Sequence, residues 1–421
     1  MRILIYGVNY APELIGIGKY TSEMAEWLAA RGHAVRVVAA PPHYPAWKID
    51  DGYRGWKYGK ETIRGVEVFR CPIWAPRRPE GVSRLLHPLS FALLSLPVML
   101  AQIFWRPAVV FVVEPMLFCA PGALAAACLS GAKAWLHVQD YEVEAFFGLG
   151  YSESSFLKKI ITAIEGWLTR RFGIVSAVSR RMVARLSKLG LADSRTALFP
   201  NWVDTEQVRP VILGRDFRKE WGFAPDARIV LYAGNMGRKQ GLEIILETAA
   251  AMREECPRAV FLMVGDGPAR DSFAEKVKKL GLHNVVFRPL QPPEDFPSLL
   301  ATADVHLVVQ RKGGADAFLP SKLAGIFAVG GTAIVTSDTN TELGLLAEEH
   351  PGIFILTPPE DPASLKKALL SALSASGAAP GKNMVAREYA EKFLSKDIVL
   401  SKFEGMLFSL KSILSRGSEV R

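Results

Sequence analysis

Cysteine is scarce in this chain. Four residues in 421, Cys71, Cys119, Cys128 and Cys256, stand far apart and form no CxxC pair. That spacing excludes a disulfide framework and a cysteine metal site, and predicts buried thiols in a reducing compartment. A secretory signal is also missing: the opening MRILIYGVNYAPE reads as a first strand and its loop, so the cytoplasm is the expected location. No GxGxxG follows the first strand and no acidic residue closes the second, which disfavours a dinucleotide site. No DxD pair stands in a metal-binding context, and there is neither a nucleic-acid module nor a basic block interleaved with aromatics. Acidic charge is in deficit, 42 Asp and Glu against 51 Lys and Arg, for a net charge of +9. With nucleic acid set aside, that balance suits anionic lipid or phosphorylated small molecules.

What is present is apolar and long. At 49% hydrophobic residues with nine Trp, the chain can bury large cores, and its length exceeds one ordinary core, so two domains are expected. Residues 2–8 form an apolar strand, followed by Gly16-Ile17-Gly18-Lys19-Tyr20, a helix over 21–30 and a strand over 34–40. This is the start of a doubly wound sheet. Gly16 and Gly18 suit close backbone approach to a phosphate or sugar, and a tight turn equally well. The aromatic loop 43–58 suits stacking on a sugar, or packing on itself. Arg77, Arg78 and Arg84 stand at the start of the most apolar run, residues 85–104, which approaches the ~20 residues of a bilayer span. His87, Pro88, Pro97 and Gln102 within it argue against a free span. A helix lying on an anionic membrane face, with arginines at the headgroups, is favoured slightly over an ordinary buried helix. The strand 133–138 ends in His137-Val138-Gln139-Asp140-Tyr141-Glu142-Val143-Glu144. Ligands sit at the carboxyl ends of such strands, so Asp140 is favoured as an acceptor-binding base, with His137, Glu142 and Glu144 left open against a solvated helix start.

The second half repeats the scheme. A strand over 228–233 runs into Gly234-Asn235-Met236-Gly237-Arg238-Lys239-Gln240-Gly241, and Leu242, Ile245, Leu246 and Ala249 then fall at helical spacing. Arg238 or Lys239 suits a diphosphate, cradled by backbone N–H groups; the plainer alternative is a turn with solvated cations. The strand 258–264 ends in Gly265-Asp266-Gly267-Pro268. The stretch 315–331, ADAFLPSKLAGIFAVGG, follows an apolar strand over 303–310. Pro320 and Ser321 mark a helix start, Leu323, Ile326 and Phe327 a buried face, and Gly330-Gly331 a stop. Lys322 in the first turn opposes the helix dipole, which points to a bound anion; a capped core helix with a surface lysine is the alternative. Domains are expected over 1–205 and 220–381, joined by a linker at 203–219, with terminal helices over 383–414 packing back on the first domain.

Taken in order, the opening YGVNYAPELIGIGKYT, HVQDYEVEA, NWVD, VGDGP and LPSKLAGIFAVGGTAI resemble the retaining, nucleotide-sugar-dependent glycosyltransferases of family 4 over nearly the whole chain. The resemblance implies the GT-B fold, an α/β architecture of two Rossmann-like domains facing across a cleft. The second domain would bind a nucleotide sugar, with GDP-fucose as the suggested donor, and the first a lipid-linked saccharide acceptor of exopolysaccharide synthesis. No metal or other cofactor is expected. The family's opening loop matches Gly16 and Gly18, and its His-Asp pair falls on Gln139-Asp140, so only the aspartate is kept. Its diphosphate-binding Arg and Lys fall on Asn235 and Gln240, which moves the positive charge to Arg238 or Lys239. Its two glutamates fall near Ala317 and Gly325 and are absent. Asp316, beside the first, is expected to contact the sugar, with Ser321 and Lys322 compensating. Gly234, Gly237, Gly267 and Pro320 complete the expected donor loops. A sugar-nucleotide epimerase and a non-catalytic polysaccharide-assembly scaffold are the alternatives on the same fold.

Overall fold

The computed structural model describes the chain except residues 14–15, 45–46, 77–81, 115–116, 142–154, 211–213, 238–239, 313–319, 375–382 and 419–421. Two sheets, each with its own core, account for the alternating strand and helix signals. The first comprises β1 (Arg2–Tyr6), β2 (Ala34–Ala39), β3 (Gly59–Ile63), β4 (Val66–Arg70), β5 (Val109–Glu114), β6 (Lys133–Val138), β7 (Ile174–Ala177) and β8 (Thr196–Leu198), in the order β3-β4-β2-β1-β5-β6-β7-β8. Only the β3–β4 pair is antiparallel. Ile3 to Tyr6 and Val109 to Val113 are buried throughout, as strands covered on both faces by helices must be. The edge hairpin β3–β4 is polar on one side, where Lys60 and Arg36 both pair with Glu67, an arrangement that protects an open edge.

The second sheet comprises β9 (Arg228–Ala233), β10 (Ala259–Val264), β11 (Val285–Arg288), β12 (Val305–Val308), β13 (Ala333–Thr336) and β14 (Ile355–Thr357). It is parallel throughout, in the order β11-β10-β9-β12-β13-β14. The winding reverses between β9 and β12, the position where open α/β sheets leave a crevice beyond their strand ends.

The chain divides into one unit of Met1–Pro200 with Leu400–Arg421 and a second of Asn201–Val399. This shifts two expected boundaries. The stretch 203–219 is no free linker, because Val203, Val208 and Phe217 are buried in the second core. The return to the first unit begins later than residue 383. Ala386 and Ala390 pack in the second core, and Arg387 donates to the carbonyls of Val208, Ala328 and Thr205 at 2.8, 2.6 and 3.0 Å. Beyond Leu400 the helix Lys396–Ser418 serves the first unit. Phe403 is fully buried and stacks on Phe199 at 4.4 Å, with Trp135 at 5.1 Å and Phe111 at 5.3 Å. Glu404 accepts from Arg31 at 3.0 Å and meets the His33 ring nitrogen at 2.9 Å. Of the thiols expected to be buried, Cys71 and Cys119 are, whereas Cys128 is exposed and Cys256 half-buried.

The apolar run forms helix α2 (Val82–Ala101) and a 3-10 turn, Gln102–Trp105. Residues 86–105 are long and apolar enough to cross a membrane, yet one face is committed to the protein. Phe91 and Met99 are fully buried, and the Ser95 and Tyr6 hydroxyls share a hydrogen bond of 2.6 Å. The opposite face exposes Leu86, Leu93, Leu94, Leu96, Leu100 and, at 90%, Phe104. Arg77 and Arg78 lie outside the described residues, as does the side chain of Arg84.

Candidate functional site

At the carboxyl end of β9 the chain turns at Gly234, whose φ of +146° is open to glycine and strained for other residues. The space where a Gly234 side chain would stand is taken by the ammonium of Lys322, with Nζ 3.2 Å from the position of a Cβ. Lys322 opens the short helix Lys322–Ala328, and its side chain reaches back over the ring of Tyr232, with Nζ 3.8 Å from the centroid. The residue as a whole is partly exposed, but its ammonium nitrogen is buried and has no hydrogen-bond partner among the described residues. Burial lowers the Lys322 pKa from 10.5 to about 7. The surface-lysine alternative therefore fails: the charge is aimed inward, where, among the described residues, it lies over the face of Tyr232 beside Gly234. The Tyr232 hydroxyl in turn donates to the Asn235 carbonyl at 2.7 Å, fixing the loop beneath the ammonium.

The neighbouring loop locks in place. Met236 N–H donates to the Asp266 carbonyl at 2.8 Å and Ala269 N–H to the Met236 carbonyl at 2.9 Å. At Gly265 a side chain would collide with the Gly234 carbonyl, and at Gly267 (φ +147°) with Asn235 and Met236. Gln240 turns inward to its own loop, its Oε1 accepting from Gly237 N–H at 3.2 Å. Loop 234–241 closes against the end of β12, where Gly241 packs on Arg311 and Arg311 pairs with Glu243 at 3.6 Å. The structure thus gathers Gly234, Asn235, Gly237, Gln240, Gly241, Gly267 and Lys322 at one end of the second sheet.

Other expectations change. Ser321 stands directly before the helix, as the sequence led one to expect, but it is already helical (φ −60°, ψ −22°) and its side chain makes no capping hydrogen bond. Pro320 begins the turn, its carbonyl accepting from Leu323 N–H at 3.1 Å. Arg238, Lys239 and Asp316 lie outside the described residues. Gly16 and Gly18 belong to the first unit, and both fall within helix α1 (Gly16–Ala30) rather than in a loop before it. Gly18 is buried against Glu13: a side chain there would stand 2.9 Å from Glu13 Oε2. Sequence reasoning passed over Glu13, a buried carboxylate that accepts from Asn9 Nδ2 at 2.7 Å, His43 N–H at 2.9 Å and Tyr44 N–H at 3.0 Å. Its signal was a lone acid in an otherwise apolar and glycine-bearing loop.

Asp140 is half-buried, two residues beyond β6. His137 is a poor acid/base group. It is buried, its Nδ1 is 2.9 Å from Ser176 Oγ and its Nε2 is 3.0 Å from Gln139 Nε2, and burial lowers its pKa to about 3. Glu142 and Glu144 lie outside the described residues. Among the described residues no group of three or more His, Cys, Asp or Glu side chains is placed to hold a metal ion.

Comparison with known proteins assigns the class. Residues 16–202 match the glycosyl transferase 4-like domain, and residues 215–393 match the glycosyl transferases group 1. The chain is 43% identical over 408 residues to WcaI of Escherichia coli (strain K12), named for a colanic acid biosynthesis glycosyl transferase, covering 96% of this chain and 98% of that protein. Sucrose-phosphate synthase from Thermosynechococcus elongatus superposes with a TM-score of 0.78 at 16% identity, covering 98% of this chain and 99% of that one. Anabaena HepE, solved in complex with UDP-glucose, gives a TM-score of 0.70 at 16% identity, covering 97% and 100%. The chain belongs to the group 1 glycosyltransferases: it is a glycosyl-transferring enzyme of GT-B fold with two Rossmann-like domains.

Proposed function

We propose that this enzyme takes a sugar from a nucleoside diphosphate sugar held by the second unit and passes it, with retention at the anomeric carbon, to a polyprenyl-linked saccharide in exopolysaccharide assembly. GDP-fucose is the donor expected from the sequence resemblance. The name of the Escherichia coli relative supports a colanic-acid-type product, and the UDP-glucose complex of HepE supports a nucleotide-sugar donor. The observation that carries the reading is the Lys322 ammonium, sealed beside Gly234 without a partner. A buried cation with no hydrogen-bond partner among the described residues calls for an anion.

In the reaction the bond between the anomeric carbon and the diphosphate breaks, and negative charge grows on the departing phosphate. A fixed cation in a site closed to water stabilises that charge without reorganising. The acceptor oxygen then bonds to the same face of the anomeric carbon, a phosphate oxygen takes its proton, and Asp140 orients the acceptor. No divalent metal is assigned a role, so EDTA is expected to leave turnover unchanged, and a rate that collapses on chelation and returns with magnesium would contradict this. The decisive experiment is a thermal-shift panel of GDP- and UDP-sugars, followed by transfer to a polyprenyl-linked acceptor with the anomeric configuration read by NMR. An inverted product, sugar-nucleotide isomerisation without acceptor, or no stabilisation by any nucleotide sugar would each overturn the reading.

We further propose that α2 rests on an anionic membrane surface, making the enzyme a peripheral protein of the inner membrane face. The support is its exposed leucine face together with Phe104, beside exposed Arg54, Trp56 and Lys57; the Tyr58 hydroxyl ties that loop to the Leu94 carbonyl at 2.8 Å. Apolar residues flanked by cations and aromatics suit the headgroup layer. Co-sedimentation with phosphatidylglycerol vesicles is expected, falling at 0.5 M salt as screening shortens the reach of the cations. The pair Leu93→Ser and Phe104→Ser should abolish most of the remainder. Binding indifferent to both changes would count against the proposal.

A further inference from the structure

We propose that Gln310 reads the transferred sugar: its side-chain amide hydrogen-bonds the hydroxyls of the donor sugar, in a sequence that lacks the two glutamates the resemblance places near Ala317 and Gly325. This rests on the donor reading above. Gln310 stands two residues beyond β12, on one side of the reversal in the second sheet, and Gly234 stands one residue beyond β9 on the other. The two strands are parallel neighbours, with Val305 opposite Val230 and His306 opposite Leu231. The next residue, Arg311, packs on Gly241, so Gln310 stands at the same strand ends as Gly234, Gly241 and Lys322.

The side chain has no structural employment. Gln310 is 4% exposed, and both its Oε1 and its Nε2 are buried without a hydrogen-bond partner. Buried amides are nearly always paired, so an amide orphaned at both ends beside the strand-end turn of Gly234 marks a place for a polar ligand. Its backbone is already satisfied on β13: Gln310 N–H donates to Thr336 Oγ1 at 2.9 Å, and that hydroxyl donates to the Gln310 carbonyl at 3.2 Å. The backbone therefore holds the amide in place without using it.

The chemistry of the two orphans matches the two parts of a nucleotide sugar. Lys322 offers a cation to the diphosphate. Gln310 offers one acceptor and two donors, the complement of neighbouring hydroxyls that each give and accept. Being neutral, the amide does not compete with the diphosphate for the ammonium, as a carboxylate in the same place would.

The test is calorimetric titration of wild type and Gln310→Leu with UDP-glucose and GDP-fucose, and with UDP and GDP as sugar-free probes. For whichever pair the wild type binds, Gln310→Leu is expected to weaken the sugar nucleotide about tenfold or more, because a site built to bond hydroxyls loses its partners. The sugar-free nucleotide should bind within about twofold of wild type by the same reasoning. The ligand-free variant should melt at or above the wild-type temperature, since an unpaired buried amide has been removed. Equal loss of both ligands assigns Gln310 to the nucleotide and overturns the proposal, as do unchanged sugar-nucleotide affinity and a lowered melting temperature. A wild type that binds none of the four probes overturns the donor reading and this assignment together; a binding wild type with an indistinguishable variant overturns this assignment alone. If Gln310→Leu does not fold, the unbranched Gln310→Met is read by the same criteria.

Discussion

Replacing Lys322 with methionine should lower kcat/KM for transfer by about 100- to 1,000-fold, the usual loss when one preorganised stabiliser of developing negative charge is removed. The same variant should melt no lower than wild type. Methionine keeps the length and apolar stem of lysine while removing an ammonium that is sealed from water against the Tyr232 ring with no hydrogen-bond partner among the described residues. Desolvating that charge opposes folding, so its loss is neutral or favourable to stability. The two readouts move in opposite senses, which separates this role from a packing role. A folded variant with unchanged kinetics would remove Lys322 from the chemistry. A melting temperature several degrees lower, with activity falling in proportion, would make it a structural lysine.

Nucleotide-sugar affinity should fall about tenfold for each pH unit above 7 and stay level below it. The free enzyme holds the Lys322 pKa at about 7. A bound diphosphate restores the charged form, so binding above that pH takes up a proton that the free site has lost. A sugar diphosphate has no group of its own titrating between pH 6 and 9, so the slope reports the protein. Titrations in two buffers of different ionisation enthalpy would count the proton directly. Stability runs the other way. The unfolded lysine keeps its proton to about 10.4, while the folded one loses it near 7. Between those values the unfolded chain binds more protons, and wild-type stability gains up to about 1.4 kcal/mol per pH unit from this group. Below pH 7 both states are charged and the contribution is level. Lys322→Met should flatten both slopes; a wild-type affinity constant from pH 6 to 9 would contradict the assignment.

The strands of the second sheet were legible because runs such as 228–233 and 258–264 are apolar and end at glycine. A parallel strand covered on both faces leaves that trace. The β3–β4 hairpin was missed because GKETI at the open edge buries little, and its polar residues read as loop. The glycine pair at 16 and 18 was read as an open loop. Its second member is small for a different reason, the close packing of Glu13, a contact that spacing along the chain does not express. Lys322 attracted notice through its unfavourable sign at a helix start. Its true neighbours, Tyr232 and Gly234, lie some ninety residues earlier, beyond the reach of local periodicity. Gln310 read only as the polar end of an apolar strand, since nothing in VHLVVQ shows that its amide would go unpaired.

The placing of Phe403 has a consequence for how this protein is made. The ring closes a cluster with Phe199, Phe111 and Trp135, yet residues 201–399 are synthesised in between. At about 5–20 residues per second the ribosome needs about 10–40 s to cover that gap. Throughout it, the aromatic floor of the amino-terminal half is without its lid, and His33 and Arg31 are without Glu404. The amino-terminal half is therefore the first to emerge and the last to be finished, and a gene cut after codon 200 encodes an unsealed piece.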